Sequence, residues 1–214
     1  MKRMKRKGED LVMIKNKVWE PGITYHVTTI GNRRNDIFRD EEDFQVYLII
    51  LQGNFIYFSN FNYRLAAYCL MDNHVHLIIQ TDKEPPKRFM ARLNSMYTKY
   101  FNKKYNYIGH LFQARYFSEI IEDNAQMLET SRYVHLNPVK ARMVDWPDEY
   151  KWSSYSMLIG EIDEKLIDSE IILNYFKYER RFELYKEFVE MKLKSLREAL
   201  KLEDEQNKVQ LKEQ

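Results

Sequence analysis

The sequence has few cysteines, glycines and prolines and no long apolar run. Among its 214 residues there is one cysteine, Cys69, so a disulfide framework and a cysteine-based zinc site are both excluded. Six glycines and five prolines favour a compact chain, with one main domain and an appendage. No apolar run approaches the length of a membrane span, and the basic start MKRMKRK leads into no export signal. We therefore expect a cytoplasmic protein that has no membrane partner.

The charge is nearly balanced in sum but uneven along the chain. The formal net charge is +2, yet residues 2–7 alone carry five basic side chains. No acidic residue lies between Pro85 and Arg115, where aromatic residues alternate with basic ones. Those basic residues are Lys87, Arg88, Arg92, Lys99, Lys103, Lys104 and Arg115. A solvated helix face is the simpler interpretation, but the aromatic residues favour nucleic acid, because bases stack on rings while Lys and Arg hold phosphates.

The order of predicted elements is strand, helix, strand, strand, helix, strand. Strands are predicted at 23–30, 64–70, 74–81 and 117–121 from their β-branched and aromatic content. Asp40 is a suitable N-cap for the first helix, and Pro85-Pro86 opens the second. This order predicts an α+β fold of the ferredoxin-like βαββαβ type, whose helices cover one sheet face and leave the other available for a site.

Further helices are predicted after the fourth strand. The first should end near Asn137, because Pro138 disfavours helical geometry in the residue before it. From Glu161 the chain is rich in Lys and Glu with apolar residues at helical spacing. We therefore divide the chain into a basic N-terminal arm (1–19), a main domain (20–160) and a helical C-terminal extension (161–214).

The segment NHVHLII places two histidines in one strand. Alternate side chains in a strand point to the same face, so His74 and His76 should lie side by side and could share a metal. Two histidines packed or hydrogen-bonded on a sheet are the alternative. The helix after the fourth strand carries Tyr133 and Asn137, which are neighbours at i and i+4. Spacing alone does not distinguish Tyr133 from the other members of a set of 16 tyrosines.

The combination of NHVHLII with YVHLNPVKARMV and then WPDEYKWSSY resembles the HUH-type single-tyrosine transposases, in particular the REP-associated tyrosine transposases. The resemblance covers residues 20–160 and implies the ferredoxin-like fold independently. It implies that His74 and His76 bind a divalent metal, Mg²⁺ or Mn²⁺, with Asn137 as the third ligand. It also implies that Tyr133 is the nucleophile.

The implied activity is cleavage and rejoining of single-stranded DNA at hairpin or palindromic repeats through a 5′-phosphotyrosine. Such an enzyme would be a prokaryotic, nucleoid-associated protein, either a monomer or a homodimer. Beside the predicted site, Arg115, Lys140 and Arg142 are candidates for phosphate contacts, together with Lys87, Arg88, Arg92 and Lys99 of the basic stretch.

The other histidines are weaker candidates, and other functions stay open. We expect His26 to be structural or to contact DNA, His110 to contact DNA, and His135 to lie off the active face. The alternatives are a domesticated nickase, a non-catalytic ferredoxin-like module that binds nucleic acid, and a metal-dependent hydrolase of a small substrate.

Overall fold

The computed structural model describes residues 20–163 and 166–210 of the chain. The proposed basic arm, residues 1–19, lies outside the described residues. A four-stranded sheet forms the centre of the main domain, and every neighbouring pair of its strands is antiparallel. The strands are β1 (Thr24–Ile30), β2 (Arg64–Met71), β3 (His74–Gln80) and β4 (Phe117–Ile121), in the spatial order β2-β3-β1-β4.

Two helices complete the predicted βαββαβ order, α1 (Glu41–Tyr57) and α2 (Lys87–Tyr105). The carboxylate of Asp40 caps α1 by accepting a hydrogen bond from the Asp43 N–H at 3.1 Å, as its sequence position predicts. A two-residue turn, Asp72-Asn73, joins β2 to β3. The ferredoxin-like fold class is therefore confirmed.

The strand alternation sorts the sheet residues onto two faces. Val75 and Leu77 of β3 are almost fully buried in the core, on the side that α1 and α2 cover. His74 and His76 alternate with them and point to the opposite face. This second face carries the candidate site, and a third helix, α3 (Asn124–Lys140), lies over it.

The predicted end of α3 near Asn137 is wrong, because the helix continues through Pro138 to Lys140. Proline disfavours helical geometry in the preceding residue, yet here Pro138 and Val139 are buried and their packing outweighs that preference. The carbonyl of Asn137 still accepts a helical hydrogen bond from the Ala141 N–H at 2.9 Å. Asn137 therefore lies inside the helix and not at its end.

The chain after α3 closes the edge of the sheet and then becomes helical. The Leu70 N–H donates to the Trp152 carbonyl at 2.9 Å, and the Ser154 N–H donates to the Tyr68 carbonyl at 3.0 Å, so this segment pairs with β2. The α-helices that follow in the described part of the chain are α4 (Tyr155–Leu158), α5 (Glu170–Leu173) and α6 (Arg181–Gln210). Among the described residues, no helix has both the length and the hydropathy needed to cross a bilayer.

Candidate active site

Two histidines of β3 form the centre of the site. His74 and His76 pair with Ile30 and Thr28 of the central strand β1, so both are held by hydrogen-bonded backbone on a rigid part of the sheet. Their ring centroids lie 4.9 Å apart, and the ring planes are nearly perpendicular. His74 is half-buried, whereas His76 is 4% exposed. The predicted convergence of the two imidazoles on one face is therefore present.

The hydrogen bonds of the two rings leave one nitrogen of each available. The Nδ1 atom of His74 lies 2.6 Å from the side-chain oxygen of Asn73, which accepts its proton. The Nδ1 atom of His76 lies 2.9 Å from Nε2 of His26 and 3.2 Å from the hydroxyl of Thr28. Nε2 of His76 is buried and has no hydrogen-bond partner among the described residues. A buried nitrogen in that state fits a missing ligand such as a metal ion.

Both imidazoles are neutral at physiological pH. The pKa of His76 is lowered to about 2, mainly by burial and in smaller part by the neighbouring His74 and His26. Burial also lowers the pKa of His74, with a smaller contribution from the charge of Arg34. Neutral imidazole is the form that coordinates a metal, so the protonation state suits metal binding.

Tyr133 of α3 packs against His76 and His26. Its ring meets the rings of His76 and His26 edge to face, with centroid distances of 5.6 Å and 6.0 Å. The side chain is 45% exposed, so the phenol borders both the histidines and solvent. His26 also lines the pocket, and its Nε2 is already bonded to Nδ1 of His76 at 2.9 Å.

Asn137 lies one helical turn after Tyr133, and its side-chain amide is hydrogen-bonded to its own helix. Its Nδ2 donates to the Tyr133 carbonyl at 2.8 Å, and the residue is 9% exposed. The described residues contain no group of three His, Cys, Asp or Glu side chains that could hold a metal. The site therefore offers two imidazole nitrogens, a donor set that suits Mn²⁺ at least as well as the oxygen-preferring Mg²⁺.

An open pocket of about 1230 Å³ lies between the sheet and α3 and includes both histidines and Tyr133. Of the predicted DNA-binding residues, Lys140 lines it, because α3 continues past Pro138. The pocket also includes Arg34 from the turn after β1, which the sequence did not identify as a candidate. No pattern in the sequence marks that arginine, since its position depends on contacts between distant segments.

The basic residues of α2 lie on the other side of the sheet from this pocket. Arg92 donates to the Asn54 side chain at 2.8 Å and stacks over the ring of Tyr57, and Arg88 pairs with Glu84 at 3.2 Å. Lys87 and Lys99 are exposed on the same helix. These four residues are not part of the pocket, and a role for them in DNA binding stays a prediction.

The remaining candidates occupy separate positions. Arg115 is exposed near the start of β4, and Arg142 donates to the Leu200 carbonyl of α6 at 3.2 Å. His110 is exposed in the loop before β4. His135 is fully buried and bonded on both ring nitrogens, which agrees with its predicted position away from the active face.

Comparisons with known proteins identify the family of this chain. A family model described as "Transposase IS200 like" matches residues 20–137. A relative from Haemophilus influenzae, provisionally named a REP-associated tyrosine transposase, is 25% identical over an alignment of 109 residues, and the match covers 45% of this chain and 61% of the relative. This match therefore spans less than two thirds of the relative's length.

A solved structure of a REP-associated tyrosine transposase bound to a REP hairpin matches with a TM-score of 0.53 and 13% sequence identity. The match covers 74% of this chain and 94% of the solved chain. At that identity the likeness concerns the fold alone.

Proposed function

Since this chain belongs to the IS200-like transposase family, we propose that it cleaves and rejoins single-stranded DNA with Tyr133 as the nucleophile. The observation that carries the proposal is the contact of the Tyr133 ring with the rings of His76 and His26 at the mouth of an open pocket. Tyr133 is 45% exposed, so its hydroxyl can reach a bound DNA strand while its ring contacts the two imidazoles.

In the proposed reaction, the phenolic oxygen of Tyr133 attacks a backbone phosphorus in line with the bond to the 3′ oxygen. The P–O3′ bond breaks, the phenolic proton is lost, and the departing oxygen takes up a proton. The products are a 5′-phosphotyrosine and a free 3′-hydroxyl. Attack by a 3′-hydroxyl on the phosphotyrosine reverses the steps, so rejoining requires no nucleotide cofactor.

His74 and His76 would hold a divalent ion, Mn²⁺ or Mg²⁺, through their Nε2 atoms. The bound ion would stabilise the charge that develops on the phosphate oxygens. The hydrogen bond from Nδ1 of His74 to the Asn73 side-chain oxygen, and that from Nδ1 of His76 to Thr28 or His26, fix the two rings in the orientation that this requires. Asn137 would supply a third ligand through its side-chain oxygen, which the bond from its Nδ2 to the Tyr133 carbonyl does not use.

The proposed DNA substrate is a hairpin or palindromic repeat, which is the type of ligand in the structurally similar transposase complex. We also propose that residues 20–160 form the catalytic domain and that 161–214 form an extension attached to it. Contacts between α3 and α6 support an attached extension, among them the bond from Arg132 to the Phe188 carbonyl at 3.3 Å.

The direct test is trapping of the covalent intermediate. Labelled single-stranded DNA with repeat hairpins is incubated with the protein and Mn²⁺ and resolved on a denaturing gel. We expect an adduct with the wild type that is absent in Tyr133→Phe and in EDTA. The control is Tyr178→Phe, which removes the same hydroxyl from an exposed tyrosine outside the pocket (73% exposed) and should still form the adduct. An adduct that persists in Tyr133→Phe would refute the assignment. Binding without any adduct in the wild type would favour the non-catalytic binding module.

A further inference from the structure

The turn after β1 contains two consecutive arginines in a left-handed backbone conformation. Arg33 has φ 55° and Arg34 has φ 59°. L-residues seldom adopt this region, and those that do are most often Asn, Asp or Gly. Backbone strain of this kind persists only where the surroundings hold it, and it is concentrated at functional sites.

Backbone contacts with distant segments hold this turn in place. The Gly31 N–H donates to the Asn73 carbonyl at 2.8 Å, and the Asn32 N–H donates to the Leu111 carbonyl at 2.7 Å. The side-chain amide of Asn73 donates to the Arg34 carbonyl at 3.3 Å. A Cβ atom at Gly31 would lie 2.1 Å from the Asn35 carbonyl oxygen, so the turn closes only around glycine. The hairpin turn that precedes His74 therefore also fixes the position of Arg34.

The two arginines differ in where their side chains lie. Arg34 lines the pocket that contains His74 and Tyr133, whereas Arg33 does not. The positive charge of Arg34 contributes to lowering the pKa of His74. Both arginines are exposed and have nearly equal φ angles, but only Arg34 lines the pocket. Arg33 is therefore a matched control for substitutions of Arg34.

Few of the charged residues that line the pocket are positive, so the charge of Arg34 matters for the binding of an anionic strand. Two of the residues that line it are cationic, Arg34 and Lys140, and four are acidic. The acidic residues are Asp36, Asp72, Glu119 and Glu129. In the absence of a bound metal ion, an anionic DNA strand would approach a wall in which acidic side chains outnumber basic ones. A guanidinium in that wall offers a planar set of donors that matches two phosphate oxygens.

We propose that Arg34 binds a backbone phosphate of the DNA strand on the sheet side of the pocket, next to the bond that Tyr133 attacks. The inference rests on the proposed function for the location of that bond. The contact with phosphate itself is independent of cleavage. Arg34 would hold the strand against the histidine side, while Lys140 lies on the helix side.

The experiment compares Arg34→Gln with Arg33→Gln, because both remove one positive charge from neighbouring residues of similar φ. Binding of a fluorescent single-stranded hairpin DNA is measured in EDTA over a range of salt concentrations, so that no cleavage occurs. Each phosphate contact on a single strand contributes about 0.7 to the slope of log affinity against log salt. We expect Arg34→Gln to reduce the slope by about that amount and Arg33→Gln to leave it unchanged. In Mn²⁺ we expect adduct formation by Arg34→Gln to be slower by about tenfold or more, with partial recovery in Arg34→Lys.

Equal slopes for Arg34→Gln and Arg33→Gln would overturn the proposal. If Arg34→Gln melts at a lower temperature than Arg33→Gln, Arg34→Gly replaces it, because glycine fits left-handed backbone without strain. A wild type that forms no adduct refutes the cleavage mechanism, whereas a reduced slope in Arg34→Gln still supports the phosphate contact. The two failures are therefore distinguishable.

Discussion

The helix that carries Tyr133 is attached to the C-terminal extension by a buried hydrogen bond, and removal of that bond should have a measurable cost. Nδ1 of His135 on α3 lies 2.7 Å from the hydroxyl of Tyr185 on α6, and Nε2 lies 2.9 Å from the Ser154 hydroxyl. His135, Ser154 and Tyr185 are each fully buried. The change Tyr185→Phe removes the hydroxyl and leaves one nitrogen of a buried imidazole without its partner.

The expected cost of Tyr185→Phe is about 1–3 kcal/mol in the free energy of unfolding, the usual penalty for stranding a buried polar group. In a chain of this length, a loss of about 2 kcal/mol lowers Tm by roughly 4–8 °C. Urea unfolding should show a lower midpoint with an unchanged slope m, because the change alters stability and not the surface exposed on unfolding.

Tyr155→Phe is the matched control. Tyr155 is fully buried in the same cluster, with its ring 6.3 Å from that of Tyr185, but its hydroxyl has no hydrogen-bond partner within the described part of the chain. Its removal should leave stability unchanged or raise it by up to about 1 kcal/mol. Equal stability changes in the two variants would show that the His135–Tyr185 bond contributes nothing.

The same pair of variants tests whether the extension restrains the helix of Tyr133. Hydrogen exchange of the α3 amides should be faster in Tyr185→Phe than in Tyr155→Phe, because the contact with α6 is weaker. If Tyr185→Phe lowers Tm but leaves the exchange rates of the α3 amides unchanged, the loss of stability lies in α6 and the extension does not restrain α3.

Two other predictions concern His135 and the turn at Gly31. Burial lowers the pKa of His135 to about 3, so below about pH 6.5 the unfolded chain binds a proton that the folded chain does not. The free energy of unfolding should therefore fall as pH decreases from about 6.5, and His135 should contribute up to about 1.4 kcal/mol per pH unit to that fall. In urea unfolding, the stability of His135→Gln should depend less steeply on pH than that of the wild type. Parallel pH curves would contradict this. Gly31→Ala should destabilise by about 1–3 kcal/mol through its clash with the Asn35 carbonyl, whereas Gly53→Ala, in α1 with open space around it, should stabilise by about 0.5–1 kcal/mol in the same melting assay. Equal effects would refute the clash.

Local patterns in the sequence predicted most of the secondary structure. The strands follow from runs of β-branched and aromatic residues, and Asp40 marks the start of α1 because the cap is a contact between residues three positions apart. The convergence of His74 and His76 follows from strand alternation alone. The selection of Tyr133 required the family resemblance, because its contact with His76 joins β3 to a helix more than 50 residues further along the chain.

Contacts over long sequence distances explain what could not be predicted. Arg34 reaches the pocket only because its turn is bonded to Asn73 and Leu111. Residue spacing does not determine whether the side chain of Asn137 bonds to its own helix or extends into the pocket; here its Nδ2 donates to the Tyr133 carbonyl. His135 has partners 19 and 50 residues away, so the sequence could place it off the active face but could not identify its role.

The continuation of α3 past Pro138 also determines the position of Lys140. Residues seven apart lie on the same side of a helix about 10 Å apart, so Lys140 lies along the same face as Tyr133, two turns further on. If the helix ended at Asn137, that geometry would be lost. Because the two backbone positions are about 10 Å apart along α3, Lys140 is suited to a phosphate next to the one that Tyr133 attacks. Under the proposed function, Arg34 and Lys140 would therefore hold different phosphates from the sheet side and the helix side, and so fix the direction in which the strand crosses Tyr133.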